Sequence, residues 1–249
     1  GMTWLRPLII AAVLLAAWQA LVWLSQVPPF ILPGPASVLT TLVTRADVIV
    51  AHAWVTGAEV LMGLALGTLL GMMTALVMAA IPGATRWLMP VLVASQAIPV
   101  FAIAPLLVLW LDYGMASKVA MATLIIYFPV TAAFFDGLRR TEPEWLALAQ
   151  TMGASRAATL RHIRIPAALP SLASGLRVAT AIAPIGAVVG EWVGSEAGLG
   201  YLMLHANARM QTDLMFASLF VLSVGSLTLY FSVNAALKRL IPWQPETLR

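Results

Sequence analysis

The sequence predicts an all-α, polytopic membrane protein with six spanning helices, and three observations carry that prediction. Of 249 residues, 61% are hydrophobic and only 10% charged, against about 25% charged in a soluble domain. A water-soluble fold of this composition would expose apolar patches large enough to aggregate, whereas lipid solvates them. The apolar residues are gathered into runs close to the roughly 20 helical residues that cross about 30 Å of hydrocarbon. The basic residues, finally, fall on alternate connections between those runs.

The predicted spans are Leu8–Leu24, Val60–Ile81, Leu88–Leu111, Val119–Phe135, a fifth centred on Val178–Gly190, and Leu214–Leu237. Five of them contain no Asp, Glu, Lys or Arg. The fifth has an uncharged stretch of only 13 residues between Arg177 and Glu191, so it must carry charged ends into the membrane. The first run lacks a small-x-small cleavage site and reads as a retained span rather than a signal peptide. With six spans and the N-terminus inside, eleven basic residues lie on the cytoplasmic side: Arg6, Arg86, Arg139, Arg140, Arg156, Arg161, Arg164, Arg177, Lys238, Arg239 and Arg249. Three lie opposite, at Arg45, Lys118 and Arg209. The positive-inside bias therefore puts both termini in the cytoplasm, and deleting the fifth span would weaken it.

The connections differ in kind. Pro28–Pro35 is a proline-stiffened outer loop. Ala36–Thr56 reads as an interfacial helix and the approach to the second span. Residues 137–170 form the longest cytoplasmic connection, and Gly194–Asp213 the second long outer one. No internal repeat or appended soluble domain is visible, so residues 1–249 read as a single domain.

Several chemistries are excluded. The chain has no cysteine, hence no disulfide, thiolate metal site or thiol nucleophile. There is no G-x-x-x-x-G-K-[ST] phosphate loop, no H-E-x-x-H and no G-x-S-x-G. His52, His162 and His205 lack metal-ligand spacing. The cytoplasmic arginines alternate with apolar residues without an aromatic platform, which argues against nucleic acid as a partner. An ion-coupled secondary transporter is a rival reading, but it needs ionisable groups in the span centres, and here the charges sit at the ends.

Ionisable and polar groups near the spans are candidates for a substrate pathway, because a charge at the bilayer centre costs about 2.5–3.5 kcal/mol on insertion scales and so faces protein or water. Glu59 and Glu191 stand at the outer ends of the second and fifth spans; they either snorkel to the interface or line a cavity. Gln96 lies well inside the third span, where its amide needs partners within the bundle. Tyr127 and Trp110 are able to stack on a flat ring, or simply to pack. Pro99, Pro105, Pro129 and Pro184 interrupt spans, as structural kinks or as breaks along a substrate route. Gly63, Gly67 and Gly71, spaced by four, suit close helix packing better than gating.

The cytoplasmic connection carries the most pattern. Thr141 followed by Glu144 fits a capping box, with Pro143 at an early helical position. A helix from Glu144 to Met152 is broken at Gly153, and a second one, Ser155–Arg164, is ended by Pro166 and Pro170. The arginines Arg156, Arg161 and Arg164 on this second helix are either a positive-inside anchor or part of a docking element.

The spacing of this connection resembles the signature loop of the binding-protein-dependent permeases of bacterial ABC importers. That pattern is Glu-Ala-Ala, three residues, Gly, nine residues, Ile-x-Leu-Pro. Here Ala147-Leu148-Ala149, Gly153 and Ile163-Arg164-Ile165-Pro166 stand in register, with Ala147 in place of the glutamate, and Glu144 lying one turn earlier as its substitute. Residues Ile98–Leu106, Leu109-Trp110, Gly114, Gly190–Val193 and Gly198-Leu199-Gly200-Tyr201 look like the sulfonate, taurine, nitrate and pyrimidine branch. The stretch from Gly190 to Ala217 is most similar to permeases for hydroxymethylpyrimidine-type thiamine precursors.

The resemblance implies a type I importer permease with a core region at about 52–240, in the bacterial inner membrane. It implies a second copy of the chain, an ATPase subunit docked at the elbow (Glu144, Ala147, Ala149, Gly153, Arg156, Ile163, Pro166), and a periplasmic or lipid-anchored binding protein delivering solute near Gly198, Gly200 and Tyr201. It implies no cofactor in this chain, with ATP and Mg²⁺ held by the partner ATPase, and hence no enzymatic activity of its own.

Overall fold

The computed structural model describes residues 3–243, and Arg249 lies outside them. Eleven α-helices and one π-helical turn account for the described elements: α1 (Leu5–Ser25), α2 (Pro35–Thr44), α3 (Ala46–Ala80), α4 (Ala84–Ala97), α5 (Val100–Leu111), α6 (Met115–Arg139), α7 (Pro143–Thr151), α8 (Arg156–Thr159), the π turn Leu160–Arg164, α9 (Ile165–Val193), α10 (Leu199–Ala208) and α11 (Thr212–Leu240). Among the described residues five helices are long and apolar enough to cross a membrane, and the bent pair α4 and α5 gives a sixth when taken as one span.

The centre of the bundle is α3, α6 and α9. Along α3 the glycines predicted to pack do so: a Cβ on Gly67 would stand 2.7 Å from Ile126 Cγ2, and one on Gly71 2.9 Å from Val130 Cγ1. Gly63 meets Ala122 in the same way, so α3 and α6 run parallel with their backbones in close approach. From the other side Gly186 meets Ala122, Gly175 meets Pro129 and Ala133, and Gly137 meets Ala168 and Ser171, so α9 runs antiparallel to α6. The buried core follows these seams, through Ala122, Ile126, Val130, Phe134, Leu138, Ala179 and Ala183.

These directions fix the topology. The C-terminal ends of α3, α6 and α11 meet the N-terminal end of α9 at one face, which carries the basic residues. The α4–α5 pair must return from that face to the start of α6. At the opposite face α2, α10 and the start of α11 form a lid, with Val38, Leu199, Leu202, Leu214 and Ala217 as a second small core. Thr41 Oγ1 donates to Asp213 at 2.8 Å, and the Trp18 indole donates to Pro33 O at 3.0 Å, tying α1 and α2 to that lid.

Four expectations are corrected. The third predicted span is not one helix: it breaks at Ile98–Pro99, where α4 and α5 meet at 96°. Proline disfavours helical backbone in the residue before it and lacks the N–H that would continue the ladder. The second span begins far earlier than Val60, because α3 absorbs much of the expected interfacial stretch and only α2 remains separate. The capping box at Thr141 does not form: Glu142 is the N-cap, without a side-chain cap, and Thr141 Oγ1 donates to Leu138 O instead. Finally, Pro166 and Pro170 do not end the second short helix. Residues Arg156–Val193 run as one 38-residue rod, since Pro166 falls in the first turn of α9, where its missing N–H is tolerated.

Candidate functional site

Chemistry-bearing residues collect in three places. The first is the lid end of α3. His52, Thr56 and Glu59 recur at helical spacing on the same stripe as the three packing glycines, so they face the bundle. Glu191, near the end of α9, accepts from Thr56 Oγ1 at 2.7 Å with one oxygen and from the Gly200 N–H at 2.7 Å with the other. Thr56 Oγ1 in turn accepts from the Leu199 N–H at 2.8 Å, and His52 Nδ1 accepts from the Gly198 N–H at 3.0 Å. The N-terminus of α10, whose first N–H groups have no intrahelical partner, is thereby capped by side chains from α3 and α9.

The Glu59 carboxyl neighbours that of Glu191, and Lys118 faces both. All three are essentially inaccessible to solvent. Lys118 Nζ donates to Tyr113 O at 2.8 Å. The glutamates are thus neither snorkelling nor lining an open cavity. They sit in a closed polar knot that no hydropathy pattern announces, because its members come from three helices. Gly198 and Gly200 pass so close to the Glu191 carboxylate that a Cβ on either would collide with it; Gly198 also holds φ +120°, open to glycine and costly to other residues. Tyr201 makes tilted ring contacts with His52 and His205, with centroids at 5.6 and 4.1 Å.

The second place is the α4–α5 break. Gln96 and Pro99 are exposed beside it. Gln96 has no hydrogen bond among the described residues, so none of them supplies the partner expected within the bundle. Trp110 is 68% exposed and stacks on no other ring among the described residues, while the half-buried Tyr127 shares a 2.7 Å hydrogen bond with Thr74. The two aromatic residues are not brought together with Gln96.

The third place is the basic elbow. Helix α7 closes in a Schellman turn: Ala154 N donates to Ala149 O and Gly153 N to Gln150 O, both at 3.0 Å. Gly153 takes φ +75°, as its position at a helix end required. Ser155 caps α8 by accepting from Ala158 N at 3.1 Å. Ala149, Ile163 and Pro166 then line an apolar groove of about 530 Å³ with Trp145, Leu148 and Met152. Leu148 and Met152 remain 61% and 78% exposed, and Trp243 donates to Pro166 O across the groove at 3.2 Å. Glu144, Ala147 and Arg156 are exposed on the same elbow and do not line the groove.

The family of binding-protein-dependent transport system inner membrane components matches residues 67–244. The chain belongs to that family. It is 56% identical over 237 residues to a probable ABC transporter permease of Haemophilus influenzae, covering 95% of this chain and 97% of the relative. A formylaminopyrimidine transport permease of Halalkalibacterium halodurans is 35% identical over 97% of both chains. A riboflavin transport system permease of Chloroflexus aurantiacus is 38% identical over 93% of this chain and 87% of its own length. In fold, the chain matches a subunit of the inward-facing methionine transporter MetNI with a TM-score of 0.67, at 15% identity, over 79% of this chain and 97% of that one.

The permease assignment accounts for the composition of the three places. A transport subunit needs no catalytic cluster. It is a multi-pass inner-membrane protein whose polar groups either hold helices together or meet partners and solute. The lid knot makes its hydrogen bonds within the chain but leaves Glu59 Oε2 buried without a partner among the described residues, whereas the break and the elbow leave polar and apolar groups open at the surface.

Proposed function

We propose that this importer permease carries a small, flat nitrogen heterocycle, a pyrimidine precursor of thiamine first among them, through a passage completed by a second copy of the chain. The observation that carries the reading is the α4–α5 break. It exposes Gln96 and the carbonyls at the end of α4 within an otherwise apolar surface. Broken helices at membrane depth are tolerated where they face protein or a polar cavity. An amide and free carbonyls suit the exocyclic amines and ring nitrogens of a pyrimidine. The named substrates of two relatives, formylaminopyrimidine and riboflavin, support a heteroaromatic ring; sulfonate and taurine permeases stand further off at 29% and 28% identity.

The basic end faces the cytoplasm, following the positive-inside bias. There the ATPase, holding ATP and Mg²⁺, seats in the apolar groove at Gly153, and a periplasmic or lipid-anchored binding protein meets the lid at Gly198–Tyr201. ATP drives the cycle because it binds one conformation better than the other.

The test is competition for uptake in cells expressing the permease with its ATPase and binding protein. Unlabelled formylaminopyrimidine should abolish uptake of labelled hydroxymethylpyrimidine. Riboflavin should compete more weakly and taurine not at all. Competition by taurine alone would replace the ring with a sulfonate.

A further inference from the structure

The rod Arg156–Val193 contains a defect. Over Leu160–Arg164 the hydrogen bonding slips to five-residue spacing, with Ile165 N donating to Leu160 O. One extra residue in a turn rotates everything after it by about 100°, and such turns recur at functional positions. Here Arg161 and His162 stay exposed while Arg164 turns inward and is partly covered. Its Nε donates to Leu138 O at 3.0 Å and its Nη1 to Ala79 O at 3.4 Å.

Those two carbonyls belong to the last turns of α6 and α3. Each is one of the orphan acceptors that a helix C-terminus leaves without an intrahelical donor. One guanidinium therefore caps two helices and places positive charge at the negative ends of both dipoles. The geometry needs a planar fork with several fixed donors, which arginine has and lysine lacks.

The connectivity makes this contact mechanical. The elbow's second half is continuous with α9, so displacement of α8 passes directly into that span. Helix α3 has no such covalent link to the elbow: it joins it in space, at Arg164.

We propose that Arg164 is a positioning residue that pins the ends of α3 and α6 to the second half of the elbow, so that ATP-driven movement of α8 carries α3 and α6 together with α9. The proposal rests on reading the elbow as the ATPase-docking segment. The absence of cysteine permits a direct test. Spin labels are placed at Ile81→Cys, just past α3, and Ala157→Cys, on α8; both positions are exposed. Their separation is measured in the permease reconstituted with ATPase and binding protein, with and without ATP.

With Arg164 present the two labels should move together, leaving their separation unchanged by ATP. In Arg164→Gln the distance distribution should broaden and shift on ATP binding. Transport per ATP hydrolysed should fall about tenfold, while ATPase association and melting temperature are retained. Arg164→Lys, which reaches one carbonyl at a time, should fall between the two; if Arg164→Gln does not assemble, the lysine variant carries the test. Rigid labels with unchanged coupling in these variants would overturn the proposal. So would losses of transport that merely track losses of thermal stability. Leu148→Asp separates the two readings. It should abolish ATPase association without moving the labels apart, and normal association in that variant would sink the docking reading whatever Arg164 does.

Discussion

The two ends of the bundle both present charged residues beside glycine-bearing turns, yet they solve opposite problems. At the lid end, Glu59, Glu191 and Lys118 are buried, and Glu191 accepts from both Thr56 and Gly200 within the same chain. At the elbow, Glu142, Glu144, Arg156 and Arg161 are exposed, and Trp145, Leu148 and Met152 stand exposed around a groove that no described residue fills. One end holds helices to one another through a buried polar knot, in which Glu59 Oε2 alone of the glutamate carboxylate oxygens lacks a partner among the described residues, whereas the other leaves an apolar groove open to a partner.

The largest effect should come from breaking the knot. Glu191→Leu strands the Thr56 hydroxyl and the Gly200 N–H and removes a counter-charge from Lys118, and severing a buried ionic network in this way costs on the order of 3–5 kcal/mol. Solubilised Glu191→Leu should aggregate on size exclusion; a monodisperse, normally melting variant would erase the contrast between the ends.

Next is the elbow's own turn. Gly153→Pro demands φ near −65° where the chain holds +75°, and it deletes the donor to Gln150 O, a local cost of roughly 3 kcal/mol. Expression and membrane insertion should survive, because the Schellman turn lies outside the bundle, while substrate-stimulated ATP hydrolysis should vanish. Normal stimulation in the reconstituted variant would mean that the elbow's shape does not matter for coupling.

The smallest structural effect is expected at the α4–α5 break. Gln96→Leu replaces an exposed amide without a partner among the described residues, so melting should stay within about 0.5 kcal/mol of wild type, while pyrimidine uptake falls. Unchanged uptake would return Gln96 to a lipid- or partner-facing role without contact to solute.

The fold was legible where it depends on composition and short-range pattern. Apolar runs located the spans because hydrocarbon solvation acts on whole segments. Gly63, Gly67 and Gly71 announced a close seam because four-residue spacing lines one helical face. Gly153 was readable because a helix end needs a residue tolerant of positive φ. The lid knot was not legible in the same way. Glu59 and Glu191 looked like interfacial charges at span ends, and Lys118 like an outer basic residue. The stripe of His52, Thr56 and Glu59 running into the glycines was the available signal that these side chains face inward.

By itself the sequence determined that this chain threads a bilayer repeatedly, with its basic connections on one side, because burial of apolar surface and the placement of charge are local properties. It also carried the elbow's spacing. Only the tertiary structure decided that Glu191 grips the start of α10, that the third span breaks by 96°, and that Arg164 caps α3 and α6 together. Each of those depends on which helices lie side by side, and a hydrogen bond reports the meeting of two segments, not the character of either one.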